Sequence, residues 1–121
     1  MPAPSNSKKK QAEARGRLAE IVAVLFLVLK GYRILATRFR AAGGEIDIVA
    51  RQRGVLIFVE VKQRPTTEDA RLAVTTTNQR RIKSAADAWL AKRARRSDVP
   101  LRYDIIAISP QALRHFRDAF R

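Results

Sequence analysis

Asp47, Glu60 and Lys62 combine two carboxyl groups and one amino group at a spacing that suits acid–base or metal-ion chemistry. They flank Arg53-Gly54, which separates two apolar segments in the pattern of a β-hairpin. If the hairpin closes symmetrically at this pair, Asp47 lies directly opposite Glu60. Lys62 lies two residues after Glu60 and shares its face, because strand side chains alternate between faces. The sequence therefore predicts two carboxyl groups and one ammonium group at one point of a sheet.

Two opposed carboxylates destabilise a sheet, and in apolar surroundings each favours its protonated form. A divalent cation relieves this repulsion, and Mg²⁺ needs few protein carboxylates because it keeps water and substrate phosphate among its ligands. We therefore predict a Mg²⁺ or Mn²⁺ site held by Asp47, Glu60 and the backbone carbonyl of Val61, with Lys62 facing a phosphate or the attacking water. The competing interpretation is a surface cluster in which Glu45 and Lys62 form an ordinary cross-strand ion pair, which contributes little.

Glu20 is a fourth candidate for the same site. It lies beside the apolar stripe of the first predicted helix, where an acid is unfavourable unless it is paired or bound to a cation. The alternative is a partly exposed Glu20 that belongs to the solvated face with Glu13 and Arg17.

The elements that position these residues follow from apolar periodicity. The length of 121 residues suits one domain, which we place at residues 11–121 after a flexible basic tail at residues 1–10. Two helices are predicted, at Gln11–Lys30 and Thr77–Arg95. The first ends at Gly31. Its predicted core stripe is Leu18, Ile21, Val22, Leu25 and Leu29, and that of the second is Ile82, Ala85, Ala86, Trp89 and Leu90.

Strands are predicted at Tyr32–Arg40, Glu45–Ala50, Val55–Lys62 and Arg102–Ser109, with a turn at residues 41–44 and a loop at Pro65–Asp69. The last segment, Leu113–Phe120, fits a short helix or a strand. Both faces of the hairpin are apolar, which is typical of strands inside a sheet covered by helices. One face carries Ile46, Ile48, Val59 and Val61, and the other carries Val49, Leu56 and Phe58.

The charge balance points to a polyanionic partner. Lys and Arg number 25 against 11 Asp and Glu, a net charge of +14, and nucleic acid rewards basic surface through counterion release. The alternative is a genome-wide bias toward Arg. The residues predicted to hold the nucleic-acid backbone are Arg38, Arg40, Arg64, Arg80, Arg81 and Lys83.

The scarcity of cysteine and histidine excludes several function classes. There is no cysteine, which removes disulfides, thiolate metal sites and Cys nucleophiles, and a single histidine argues against His-rich zinc sites and Ser-His-Asp catalysis. The lack of cysteine fits a reducing interior, so we expect a cytoplasmic protein. The apolar run Ile21–Leu29 is nine residues long, whereas a bilayer needs about 20, so no membrane partner is expected.

Taken together, several stretches of this sequence resemble the YraN family, small bacterial proteins predicted to be endonucleases. The resemblance covers the chain from about Gly16 to Phe120. The matching positions are Gly16 with Glu20, residues 31–36, 44–50 and 58–62, Gln79, and residues 88–91, 102–106 and 118–120.

The resemblance implies a restriction-endonuclease-like fold, an α/β/α sandwich with a mixed central sheet, similar to archaeal Holliday-junction resolvases. It also implies a catalytic set of Glu20, Asp47, Glu60 and Lys62. Gln79 is the polar residue expected at the start of the next helix, and we predict that it contacts nucleic acid. Because related resolvases act as dimers, a homodimer is compatible with this resemblance.

The leading functional hypothesis is a Mg²⁺-dependent nuclease that hydrolyses phosphodiester bonds, in DNA rather than RNA, with branched DNA as one candidate substrate. A second hypothesis is a non-catalytic DNA- or RNA-binding adaptor on the same fold. A third, an RNA-binding module of another fold, has less support, because aromatic residues make up 7% of the chain and no ring-stacking motif is present.

Overall fold

The residues that the structure describes form a five-stranded mixed sheet with helices on both faces. This computed structural model describes residues 6–93 and 99–121. The elements in chain order are α1 (Asn6–Leu29), β1 (Arg33–Ala41), β2 (Gly44–Gln52), β3 (Val55–Gln63), α2 (Thr67–Leu72), α3 (Thr76–Arg93), β4 (Leu101–Ile108) and β5 (Leu113–Phe120). The strand order is β1-β2-β3-β4-β5, and among these described strands β3 and β4 are the one parallel pair. The predicted α/β/α architecture is confirmed and is compatible with a restriction-endonuclease-like fold.

The hairpin of β2 and β3 closes at Arg53-Gly54, as the sequence predicts. Both residues have positive φ, +51° and +78°, and two successive left-handed residues make the turn whose twist matches that of the flanking strands. Glycine suits this turn because it adopts positive φ without steric cost. The turn sets the expected register, which runs from Gln52–Val55 to Ile48–Val59.

Beyond Ile48–Val59 the pairing of β2 with β3 ends. From there β2 continues only against β1, while β3 continues against β4 as far as the pair Gln63–Ile108. The predicted direct cross-strand pairs of Asp47 with Glu60 and of Glu45 with Lys62 are therefore not part of the ladder. A gap between two diverging strands takes their place, and this gap positions the site described below.

Two apolar layers enclose the sheet. On the α1 side lie Ile48, Ala50, Ile57, Val59 and Ile106. On the α3 side lie Ile46, Val49, Leu56, Phe58 and Ile105, packed on Ile82, Ala85, Ala86 and Trp89 of the helix, which confirms four members of the predicted stripe of that helix. Ile46 was predicted to share a face with Ile48 but lies on the opposite side, because the regular alternation of β2 breaks where the strand leaves β3.

The orientation of α1 differs from the prediction. Its buried stripe consists of Ala19, Ala23 and Leu27, spaced by four residues. Small residues let the helix lie close to the sheet, and the larger aliphatic residues are left on the outer side. The residues predicted as core but found exposed are Leu18, Ile21, Val22, Leu25 and Leu29. The helix ends before Gly31 as predicted but begins at Asn6 instead of Gln11.

Three further segments differ from or complete the sequence predictions. The predicted loop at Pro65–Asp69 contains the start of α2, whose first turn is capped by Thr66 Oγ1 accepting from the backbone N–H of Asp69 at 3.0 Å. The final segment is a strand, because β5 pairs with β4. The predicted end of the second long helix, residues 94–95, lies outside the described residues. No helix in the described ranges is long and apolar enough to cross a membrane.

Candidate active site

A cleft of about 590 Å³ opens beside the gap between β2 and β3. One wall is the N-terminal half of α1, and the other is formed by β2, β3 and the segment that follows β3. All four predicted catalytic residues line this cleft, although they come from three separate elements. The lining residues are Ala12, Arg15, Gly16, Ala19, Glu20, Asp47, Glu60, Val61, Lys62, Gln63, Arg64, Pro65 and Pro110.

Asp47 bridges the gap where the two strands part. Its Oδ2 accepts a hydrogen bond from the backbone N–H of Val61 at 2.8 Å. This side-chain oxygen takes the place of the backbone carbonyl that β2 would have offered had the ladder continued. The N–H and C=O of one strand residue point to the same side. The carbonyl of Val61 therefore also faces the gap, in keeping with its predicted role as a ligand.

Glu60 carries the most perturbed carboxyl group of the site. Burial raises the pKa of Glu60, and the hydrogen bond and negative charge of Asp47 raise it further, to about 9 against a usual 4.5. The side chain is buried, with 8% of the residue exposed. The carboxyl group of Glu60 is thus in contact with Asp47, and its surroundings favour its protonated form. The sequence predicts this repulsion between two acids. In the structure it arises because the two side chains meet across the gap between β2 and β3.

The positive charge of Lys62 offsets only part of the effect that burial and Asp47 have on Glu60. Its positive charge lowers the pKa of Glu60, yet burial and Asp47 outweigh it. No salt bridge joins Lys62 to a carboxylate within the described part of the chain. Glu45, its partner in the competing interpretation, pairs with Arg40 of the neighbouring strand at 3.6 Å instead. The ammonium group of Lys62 therefore lines the cleft without a bound carboxylate.

Glu20 reaches the cleft from α1 and is held by Arg38 of β1. The Nε of Arg38 donates to Glu20 Oε2 at 2.7 Å, and this bond raises the pKa of Arg38. Arg38 has a φ of +52°, a left-handed conformation that is uncommon for a residue with a side chain and is found where surrounding contacts enforce it. Glu20 is therefore ion-paired at the cleft and is not merely part of the solvated face with Glu13 and Arg17.

The acids of the cleft form a pair and not a larger cluster. Across residues 6–93 and 99–121, no three His, Asp or Glu side chains converge closely enough to hold one metal ion. Glu20 thus lies outside direct reach of a cation on Asp47 and Glu60. Such a cation would take its remaining ligands from the backbone, water and substrate, which is the habit of Mg²⁺.

The residues predicted to hold nucleic acid fall into separate groups. Arg64 lines the cleft, and its Nη1 donates to the carbonyl of Gln63 at 2.7 Å. Arg38 is bonded to Glu20 of the cleft wall, and Arg40 is exposed on β1. The α3 residues Arg80, Arg81 and Lys83 lie across the sheet from α1. Gln79 is also separate, since its side chain donates to the carbonyl of Val74 at 3.3 Å and it lines another pocket, beside α2 and β5.

The basic N-terminal half of α1 was missed as part of this site. Lys8–Lys10 belong to the helix, and Arg15 lines the cleft one turn before Ala19. Ala12, Gly16 and Ala19 recur at helical spacing, and small residues at this spacing are typical of a helix face that lies close to another surface. That signal could have identified both the packed face of α1 and this wall of the cleft.

A second buried acid, Asp104 of β4, lies in a fully compensated network. Arg102 donates to both oxygens of Asp104 at 2.8 Å, His115 Nε2 lies 2.7 Å from Oδ2, and the N–H of Asp118 donates to Oδ1 at 2.9 Å. Lys30 Nζ is 3.0 Å from His115 Nδ1, and because Lys can only donate, Nε2–H of His115 donates to Asp104. Burial alone would raise the pKa of Asp104, but these donors together lower it.

Comparison with known proteins places the chain among bacterial relatives. Residues 19–108, which include all four predicted catalytic residues, match the family described as "Uncharacterised protein family UPF0102", the YraN family. A UPF0102 protein of Rhizobium etli is 54% identical over 93% of both chains, and one of Agrobacterium fabrum is 47% identical over 95% of both. One of Rhodopseudomonas palustris is 47% identical over 98% of this chain and 93% of its own. The family resemblance seen in the sequence is confirmed.

Proposed function

The chain belongs to the UPF0102 family, and we propose that it is a metal-dependent nuclease that hydrolyses phosphodiester bonds in nucleic acid, DNA in preference to RNA. The observation that carries the proposal is the contact between Asp47 and Glu60 in an open cleft, beside the ammonium group of Lys62. Two buried carboxyl groups in contact are unfavourable unless a proton or a cation lies between them.

The donor set fits a hard divalent cation. Carboxylate and carbonyl oxygens are the ligands that Mg²⁺ and Mn²⁺ prefer, and the cleft has room for water and a phosphate. The N–H of Val61 fixes Asp47, so one ligand is oriented before any ion arrives. A cation bound there would polarise the phosphodiester and lower the pKa of the attacking water.

The other residues of the cleft have roles on the substrate side. Lys62 stabilises the negative charge that develops on the phosphoryl oxygens. Glu20 restrains Arg38 at the rim, and Arg38 and Arg64 bind backbone phosphates. Phosphate contacts carry no sequence information, so we expect recognition of nucleic-acid shape, with branched DNA as one candidate. We expect this activity in the cytoplasm.

The deciding experiment is a cleavage panel with Mg²⁺ or Mn²⁺ on single-stranded, duplex, flap and four-way-junction substrates, in DNA and in RNA. Asp47→Asn and Glu60→Gln should lower the cleavage rate by roughly 10²–10³-fold or more. Glu20→Gln should lower it less, because Glu20 lies outside direct reach of the cation.

The matched control for this panel is Glu45→Gln. Glu45 lies on the same strand as Asp47 but is exposed and paired with Arg40, so the variant should cleave like wild type. Absence of cleavage of every substrate by the wild type, with either metal, would contradict the proposal.

The second candidate function is a non-catalytic nucleic-acid adaptor. It is favoured by the restriction of the described acids to a pair and by the ion pair that engages Glu20. Both candidates predict nucleic-acid affinity that falls steeply with salt, because the charge of +14 engages several phosphates. Undetectable binding at low salt would exclude both. Binding without cleavage, unchanged in Asp47→Asn, would favour the adaptor.

A further inference from the structure

The outer side of α1 carries a continuous row of exposed aliphatic side chains. Their exposure ranges from 38% to 87%. We name this row the apolar seam, and its members are Leu18, Ile21, Val22, Leu25, Val28 and Leu29. The largest apolar patch on a monomeric protein typically measures ~300–600 Å² and is often functional. Nothing within the described part of the chain covers the seam.

The spacing of the seam is that of a helix-pairing surface. Leu18 and Leu25 are seven residues apart, as are Ile21 and Val28, and the two pairs interleave in steps of three and four. This is the heptad pattern with which one helix packs against another helix of the same kind. The seam rises roughly 16 Å along the axis of α1. The geometry of the seam therefore suits a straight helix of similar length as its partner. The α1 helix of a second copy of this chain is such a helix.

We propose that the apolar seam binds the seam of a second copy of this chain, with the two α1 helices antiparallel. Charge determines the direction. The only charged residue from Leu18 to Leu29 is Glu20, which faces the cleft. The N-terminal half of α1 carries Lys8, Lys9, Lys10, Arg15 and Arg17 against one acid. Parallel pairing would place the two basic halves side by side, whereas antiparallel pairing places them at opposite ends of the interface.

A specific dimer requires an interface of sufficient area and suitable composition. A stable interface covers roughly 800 Å² on each partner and has an apolar centre with a polar rim. The six seam residues supply the centre. Each α1 ends with the seam at Leu29 and continues past it at its N-terminal end, so in the antiparallel arrangement its polar N-terminal half flanks the apolar centre at one end of the interface and that of the partner flanks the other. The proposal does not depend on the nuclease function, since the seam lies on the opposite side of α1 from its packed stripe.

An anionic membrane surface is the other occupant to consider, and the residues favour it less. A helix that lies in a membrane interface carries Lys and Arg along the face opposite its apolar side. Here no Lys or Arg occurs between Leu18 and Leu29, and the opposite face is packed against the sheet through Ala19, Ala23 and Leu27.

The first test is sedimentation velocity over a concentration series, on protein freed of nucleic acid and at high salt to screen charge repulsion. Wild type should sediment as a dimer. Leu25→Asp places a charge at the centre of the seam and should raise the dimer dissociation constant by roughly 30-fold or more. Circular dichroism should be unchanged, because the residue is exposed.

The matched control is Leu72→Asp, because Leu72 on α2 is as exposed as Leu25, at 60% against 58%. This variant should remain dimeric. A wild type that stays monomeric at every concentration, or a Leu25→Asp variant that still dimerises, would overturn the proposal. So would a monomeric wild type that floats with phosphatidylglycerol vesicles while Leu25→Asp does not, which would assign the seam to lipid.

The second test determines whether the two α1 helices are parallel or antiparallel. The chain has no cysteine, so each introduced cysteine is the one thiol of its chain. In the antiparallel arrangement Leu18 of one copy lies near Leu29 of the other. A mixture of Leu18→Cys and Leu29→Cys chains should form a disulfide-linked heterodimer on mild oxidation, while Leu18→Cys alone should not crosslink. A crosslink between two Leu18→Cys chains, with no crosslinked Leu18→Cys/Leu29→Cys heterodimer in the mixture, would overturn the antiparallel pairing.

Discussion

Asp104 and Glu60 are buried acids on neighbouring strands, and their surroundings shift their pKa values in opposite directions. Asp104 receives hydrogen bonds from Arg102, His115 and a backbone N–H, and its pKa is lowered. Glu60 meets a second acid, Asp47, and its pKa is raised to about 9. The fold can therefore stabilise a buried carboxylate with its own donors, and it does so at the structural acid Asp104. At the cleft it leaves the carboxyl groups uncompensated, as expected of a site that binds a cation.

The largest expected contrast is in stability. Asp104→Asn should lower the free energy of unfolding by about 3–5 kcal/mol, because it leaves the charge of Arg102 uncompensated in a partly buried site. Asp47→Asn should cost nothing in metal-free protein, because it relieves repulsion and Asn still accepts from Val61. Urea denaturation with EDTA measures both. If Asp47→Asn were destabilised by several kcal/mol, the cleft pair would be structural and the comparison would fail.

The next contrast is the response to metal. Wild type should gain about 2.7 kcal/mol of stability when Mg²⁺ or Mn²⁺ is present at 100 times its dissociation constant. Asp47→Asn should gain nothing, because one of the two carboxylate ligands is missing. Asp104→Asn is the control and should gain as much as wild type from its lower baseline. Thermal unfolding with and without metal gives the answer, and an equal gain in Asp47→Asn would place the ion elsewhere.

The two acids should also act on opposite limbs of the pH profile. The folded pKa of Glu60, about 9, exceeds its usual 4.5, so its contribution is complete below pH 4.5 and is lost as pH rises to 9. The stability of the metal-free protein should therefore fall as pH rises through that window. The pKa of Asp104 is lowered, so its contribution is present at neutral pH and is lost in acid. In metal-free protein, Glu60→Gln should remove the alkaline slope and keep the acid loss. An unchanged alkaline slope would show that Glu60 titrates normally.

The smallest effect on stability is expected from Lys62→Ala. Its positive charge lowers the pKa of Glu60, so the variant should shift the alkaline loss of stability to a somewhat higher pH in metal-free protein. Stabilisation by metal should remain, while cleavage should fall by roughly 10²-fold. Loss of the metal response in this variant would mean that Lys62 helps to form the ion site itself.

The sequence was sufficient to predict the hairpin because local chemistry determines it. Arg53-Gly54 fixes the turn, and the alternating apolar residues then leave one register in which both faces are buried. This register brought Asp47 and Glu60 to the same place in the prediction. The divergence of β2 from β3 could not be predicted, because no local signal in either strand marks the point beyond Ile48–Val59 at which their pairing ends.

The packed face of α1 was mispredicted for a physical reason. A prediction from apolar periodicity gives large aliphatic residues more weight than alanine. It therefore assigned Leu18, Ile21 and Leu25 to the packed face in place of Ala19 and Ala23. Helix–sheet packing instead used the small residues, which allow close approach. The compensated network around Asp104 was not predicted either, because its donors come from β4, from β5 and from the end of α1, which only the folded chain brings together.

The order of the strands has a consequence for folding kinetics. β1, β2 and β3 form a continuous meander, whereas the parallel pairing of β3 with β4 joins segments about 45 residues apart. Because local contacts carry a lower loop-closure cost, we expect Asp47 to meet Glu60 before α3 and β4 are in place. Repulsion within this pair therefore belongs to the folding barrier. In stopped-flow experiments Mg²⁺ should speed refolding more than it slows unfolding. Asp47→Asn should refold at one rate whether or not the metal is present.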